Sequence, residues 1–121
     1  MLHAIVAGWM ILTLAGEAEH WLQKSAAQGY APAPFYLGRL YWDGEFGSPD
    51  YDRACQWTLI AGVLAKRGGW DRSRPDDAVW VRRELPDHVS RIREKLTTGQ
   101  LTECVLKAEE WLAANAARRQ K

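Results

Sequence analysis

Side chains able to do chemistry are few in this sequence, and their spacing is uncooperative. His3, His20 and His88 stand far apart, with no His-x-x-x-His pair and no nucleophile-elbow pattern beside them. Glu17, Glu19 and His20 do cluster, but at the start of a helical pattern, where acidic groups complement the helix dipole; capping is the reading, not acid–base work. Asp43, Glu45, Asp50 and Asp52 could offer oxygens to calcium, yet the full Asp-x-Asp-x-Asp-Gly loop is missing. The glycines of DGEFGSPD do not open into a helix carrying Lys and Ser/Thr, as a phosphate cradle requires. Cys55 and Cys104 lie inside expected helices without Cys-x-x-Cys spacing or a histidine cluster, so zinc and thioredoxin-like chemistry are unsupported, and two buried thiols are expected. The expectation is a non-enzyme, with no catalytic residue, metal or cofactor.

The elements around these residues say more. With 121 residues the chain is one domain long enough for a core, and 47% hydrophobic and 26% charged residues are ordinary for a globular protein. Seven Trp is high, however, and Trp9, Trp21, Trp57, Trp80 and Trp111 fall in helical patterns as expected wedges between helices. Trp42 and Trp70 are assigned to loops. A net charge of +1 gives no global field for nucleic acid or a membrane surface. The first half is acidic and the second basic, which reads either as solvated faces or as a basis for head-to-tail association. Leu2 to Gly16 is an apolar run too short to span a membrane comfortably and without a basic leader. It reads as a buried first helix in a cytoplasmic protein, as an export signal if residues 1–18 act as one, or, behind both, as an anchor.

Along the rest of the chain, Ala18, Trp21, Leu22 and Ser25 sit at i, i+3, i+4 and i+7, one helical face with a large ring among small residues. Pro32 and Pro34 stop that helix and open a second, from about Ala33 to Trp42. In it Ala33, Leu37 and Tyr41 should face the core, and Gly38 should mark a close helix crossing. Phe35, Arg39 and Trp42 are left to reach outward as candidate partner-binding residues. After the loop Asp43–Asp50 a third helix runs to Lys66, and Gly68–Pro75 is a longer loop, either a plain insertion or a contact site. Asp76–Glu84 and Asp87–Leu96 are two helices or one kinked at Pro86. Their interleaved charges suit i,i+4 pairing better than a phosphate track. Thr97 and Gln100 fit a capping box for the last helix.

Two internal echoes run through this pattern. Ala18 and Trp21 recur 36 residues later as Ala54 and Trp57, a period expected of stacked helical hairpins. AEEWLAANAA from Ala108 matches AEHWLQKSAA from Ala18 at six of ten positions and reads as a helix capping the stack. The stretch from Ala18 to Trp57 resembles a Sel-one-like repeat, a relative of the tetratricopeptide repeat. Ala18, Trp21, Leu22, Lys24, Ser25, Ala26 and Gly29 fill its first helix, with Ser25 for an Ala. Ala33, Leu37, Gly38, Tyr41 and Gly44 fill its second, before Asp50 and Tyr51. The last helix is similar to the terminal helix of many bacterial proteins of that family.

The resemblance implies an all-α superhelix, residues 1–121 forming one short solenoid of antiparallel helix pairs, with the best repeat at 18–57 and a degenerate repeat plus capping helix at 58–121. It also implies an adaptor or scaffold that binds a partner peptide or helix on its concave face. Secreted members with a cysteine pair in every repeat are linked to beta-lactam binding or hydrolysis, a pairing this chain lacks. A structural homo-oligomer is the remaining alternative.

Overall fold

A computed structural model describes residues 16–119, with side chains through residue 116; the expectations for the N-terminal run and Trp9 lie outside the described residues. Five helices follow one another: α1 (residues 16–27), α2 (Pro32–Asp43), α3 (Tyr51–Lys66), α4 (Pro75–Lys95) and α5 (Thr98–Arg119). The described chain is all-α.

Local chemistry accounts for the boundaries. Pro32 opens α2, where its missing N–H costs no helical bond and its fixed φ suits the first turn. Gly44 closes α2 in the left-handed conformation at φ 78°, its N–H reaching back to the Leu40 and Tyr41 carbonyls. The Asp50 side chain accepts from the Arg53 N–H at 3.0 Å and caps α3. At α5 the capping box forms in both directions: Gln100 N donates to Thr97 Oγ1 at 3.2 Å, and Thr97 N donates to Gln100 Oε1 at 2.8 Å.

Pro86 does not divide α4, which runs unbroken through it. Val81, Leu85, His88 and Ile92, at i, i+4, i+7 and i+11, put one inward stripe on both sides of the proline. Tertiary burial of that stripe outweighs the lost backbone bond.

α3 is the central element, packed against α2, α4 and α5. Leu37 and Tyr41 of α2 meet Ala54, Trp57, Ile60 and Leu64 of α3 in the main core, which Ala26 of α1 and Cys104, Ala108 and Leu112 of α5 complete. Ala33, Leu37 and Tyr41 are buried as their spacing requires. Gly38 lies where α2 crosses α3: a Cβ there would come within 2.5 Å of Thr58 Oγ1 and 3.2 Å of the Ala54 carbonyl. Thr58 is itself fixed by donating to that carbonyl at 2.6 Å.

Three expectations require correction. Cys55 and Cys104 are not free thiols but a disulfide joining α3 to α5, with Cα atoms 6.2 Å apart. Both cysteines fall on inward stripes, so packing α5 on α3 brings residues 49 apart in sequence face to face. Trp21 is not a wedge: it is 66% exposed, with Lys24 Nζ 5.1 Å from the ring centroid. Its equivalent Trp57 is buried because α5 covers it, Trp57 and Trp111 meeting edge to face at 5.4 Å. Among the described residues no helix covers the corresponding face of α1, and Ala18 is exposed with it. Finally, Trp42 lies within α2, not in a loop.

The long loop after α3 is tied to the turn after α1. Gly69 accepts from the Ala31 N–H at 2.8 Å, and a Cβ at Gly69 would strike the Gly29 carbonyl. The Tyr30 hydroxyl donates to Asp77, and burial followed by that bond pushes the phenol up to about 12. Across the next junction Tyr41 donates to Glu19 of α1, so Glu19 serves as a tertiary tie between helices. Burial, then this carboxylate, raises the Tyr41 phenol to about 12 as well.

Candidate functional site: the cleft between α2 and α4

The three residues expected to reach a partner fall on one side of α2, but only two of them reach solvent. Phe35 is fully buried against Ala61 and Val81. Packing decides its direction: α4 crosses this face and Trp80 meets the Phe35 ring edge to face at 4.9 Å. The residue of α2 that is exposed in this turn is Tyr36, tilted over Trp80 at 5.0 Å. Arg39 is half-buried, and so is Trp42, whose ring lies 5.0 Å from that of Tyr51.

Phe35, Arg39 and Trp42 nevertheless line a common cleft. Asp43 of α2 and Glu84, Asp87, His88 and Arg91 of α4 complete its lining. Helix spacing explains the set: positions 35, 39, 42 and 43 recur on one side of α2, and 84, 87, 88 and 91 on the facing side of α4. Glu84 pairs with Arg83 at 3.2 Å. Among the described residues Arg39, Asp43, Asp87 and Arg91 form no ion pair, although all four line the same small space.

His88 was missed as a member of this group, because a lone histidine in a charged helix gives no signal of its own. In the structure it is the floor of the cleft. Its ring lies 5.8 Å from both Phe35 and Trp42, each edge-on, and its Nε2 has no hydrogen-bond partner. Burial, then the Arg39 charge, holds the imidazole below its ordinary value, with Arg91 adding to the effect and Asp43 and a backbone hydrogen bond to Gly38 opposing it. The ring is therefore neutral near pH 7.

This has a signed consequence for stability. A depressed folded pKa means the unfolded chain binds the proton first, so stability is complete above the ordinary value of 6.5 and falls as pH drops toward the folded value. Urea midpoints measured between about pH 7 and 5 should decline more steeply for the parent than for His88→Gln. Parallel slopes would remove His88 as the cause.

The other chemistry-bearing residues are not brought together. His20 is exposed on α1, and Glu45 and Asp52 are exposed around the α2–α3 loop. Among the described residues no three His, Cys, Asp or Glu side chains form a metal-binding group, and no helix is long and apolar enough to cross a membrane. No family model matches the chain, and neither a curated protein nor a solved structure matches it.

Proposed function

We propose that this chain is a non-catalytic protein-interaction module, a short Sel-one-like solenoid whose partner segment lies along the α2–α4 face. The observation that carries the reading is the convergence of Arg39, Asp43, Asp87 and Arg91, without ion-pair partners among the described residues, over an aromatic floor of Phe35, Trp42 and His88. Recognition surfaces combine aromatic anchors with charges of this kind. The adjoining Tyr36 and Trp80 stack extends the face. The family reading is supported by eight of the ten repeat positions: Ala33, Leu37, Gly38, Tyr41, Ala54 and Trp57 are packing residues, and Gly29 and Gly44 take positive φ at helix ends, whereas Ala18 and Trp21 are exposed.

Affinity capture from a lysate of the source cell tests this. The intact chain should retain a partner that Arg39→Glu, alone and combined with Trp42→Ala, loses by about tenfold or more. Equal retention by both variants, with helix content unchanged, would sink the proposal.

For location, one observation favours export over the cytoplasm. The Cys55–Cys104 bond joins two core helices, and such bonds persist in oxidising compartments, whereas cytosolic thiols are kept reduced.

A further inference from the structure

Between α4 and α5 lies a groove that no other described helix fills. Both helices pack on α3 but scarcely on each other, which opens a wedge with α3 at its base. Its cavity is about 360 Å³, bounded by Cys55 and Leu59 of α3, Val89 and Arg93 of α4, and Leu101 and Val105 of α5. The buried Thr58 and Ile92 form the floor.

We propose that this groove binds a small apolar monocarboxylate, whose hydrocarbon body lies against the aliphatic walls while its carboxylate pairs with Arg93. The site is separate from the partner face. Successive positions on a helix turn by about 100°, so Glu84, Asp87 and Arg91 fall on one flank of the inward stripe of α4 and Val89 and Arg93 on the other.

Four observations select this ligand. The first is the lining: Leu59, Val89, Ile92, Leu101 and Val105 are aliphatic, and the Thr58 hydroxyl is already engaged by the Ala54 carbonyl at 2.6 Å. Small-molecule sites are built this way, from apolar walls and a few polar groups that fix orientation. The second is charge. Arg93 is the one charged residue of the lining, and it is exposed and forms no ion pair among the described residues. A guanidinium at the edge of an apolar cavity matches a carboxylate in geometry and sign and repels an amine. The third is size: at roughly 30 Å³ for each water-sized group the space holds about twelve heavy atoms, the scale of a small molecule. The fourth is length, which excludes a docked helix. On all three helices the bounding residues are four apart, about 6 Å, whereas a helical segment is read at i, i+3, i+4 and i+7 over about 10 Å. The groove is also preformed, because Cys55 at its base is bonded to Cys104 and holds the α5 wall on α3.

The probe is cyclohexylbutyrate, a carboxylate of that size, titrated into the full chain while the methyl signals of Val89, Ile92, Leu101 and Val105 are followed by NMR. Cyclohexylbutanol and cyclohexylbutylammonium, its neutral and cationic counterparts, are run in parallel near neutral pH. Saturable shifts confined to these methyls support the assignment when the carboxylate binds roughly three- to fivefold tighter than the alcohol and the ammonium binds most weakly. Arg93→Gln should remove the preference for the carboxylate and leave alcohol binding unchanged. Val105→Gln should weaken both ligands by about threefold or more, through lost apolar contact. Both side chains are exposed, so both variants keep the fold. No shift at these methyls, equal binding of carboxylate and ammonium, a carboxylate preference that survives Arg93→Gln, or undiminished binding in Val105→Gln overturns the proposal. Shifts centred on Trp21 or Tyr36 instead would mean adhesion to exposed rings and overturn it as well. Because Arg39→Glu and Trp42→Ala act on the other flank of α4, partner capture and ligand binding stand or fall separately.

Discussion

Phe35→Ala should lower unfolding free energy by about 3–5 kcal/mol, the usual cost of deleting a buried aromatic ring and leaving its cavity. Phe35 has no exposure and joins three helices: its own α2, α3 through Ala61, and α4 through Val81 and Trp80. None of these neighbours can collapse into the space cheaply. Ala61 has no longer side chain to offer, and Trp80 is already engaged with Tyr36. Against a typical stability of about 5–15 kcal/mol for a domain, the loss is a large share. A urea titration should show a lower midpoint with unchanged slope. A change below about 1 kcal/mol would mean that the ring is not a core element. Because Phe35 also walls the α2–α4 cleft, the variant should weaken partner capture even under conditions where it remains folded.

Breaking the Cys55–Cys104 bond is the second large effect. Its partners are 49 residues apart, and closing a loop of that length in the unfolded chain is worth about 4 kcal/mol on the entropy model. The consequence should be concentrated in α5, whose main packing is with α3, through Cys104, Ala108, Trp111 and Leu112. Thermal unfolding with and without a phosphine reductant, repeated on Cys104→Ser, gives the measurement. Reduction should lower the parent's midpoint to that of the variant and speed hydrogen exchange across residues 98–116. Coincident midpoints for oxidised and reduced parent would deny the bond a structural role. Two alkylatable thiols in protein isolated from its own compartment would show that the bond does not form there, and would return the chain to a reducing location.

Helix positions and the Thr97–Gln100 capping box were legible in the sequence because they depend on neighbours within a turn or two. The glycine after α2, Asp50 before α3, and Thr97 with Gln100 before α5 each satisfy backbone groups within a few residues. The inward face of α2 was equally legible, since the 3.6-residue period puts Ala33, Leu37 and Tyr41 together whatever packs on them. Even the close crossing at Gly38 could be read, because a helix gains nothing from an interior glycine unless another backbone comes near.

What the sequence could not fix was which helix lies over which face. Phe35 has the phase of an outward residue on α2, and only the passage of α4 across that side buries it. Trp21 and Trp57 occupy the same place in the same motif, yet α5 covers Trp57 and leaves Trp21 in solvent. Cys55 and Cys104 carry no spacing signal, because their approach depends on how α5 docks on α3 rather than on any local pattern. His88 belongs with Arg39 and Trp42 for the same reason. By itself, then, the sequence determined the helices, the capping box before α5 and the core face of α2, all set by short-range hydrogen bonds and periodicity. The disulfide, the buried imidazole and the α2–α4 cleft were decided by tertiary structure, because each needs residues from two helices that only packing brings together.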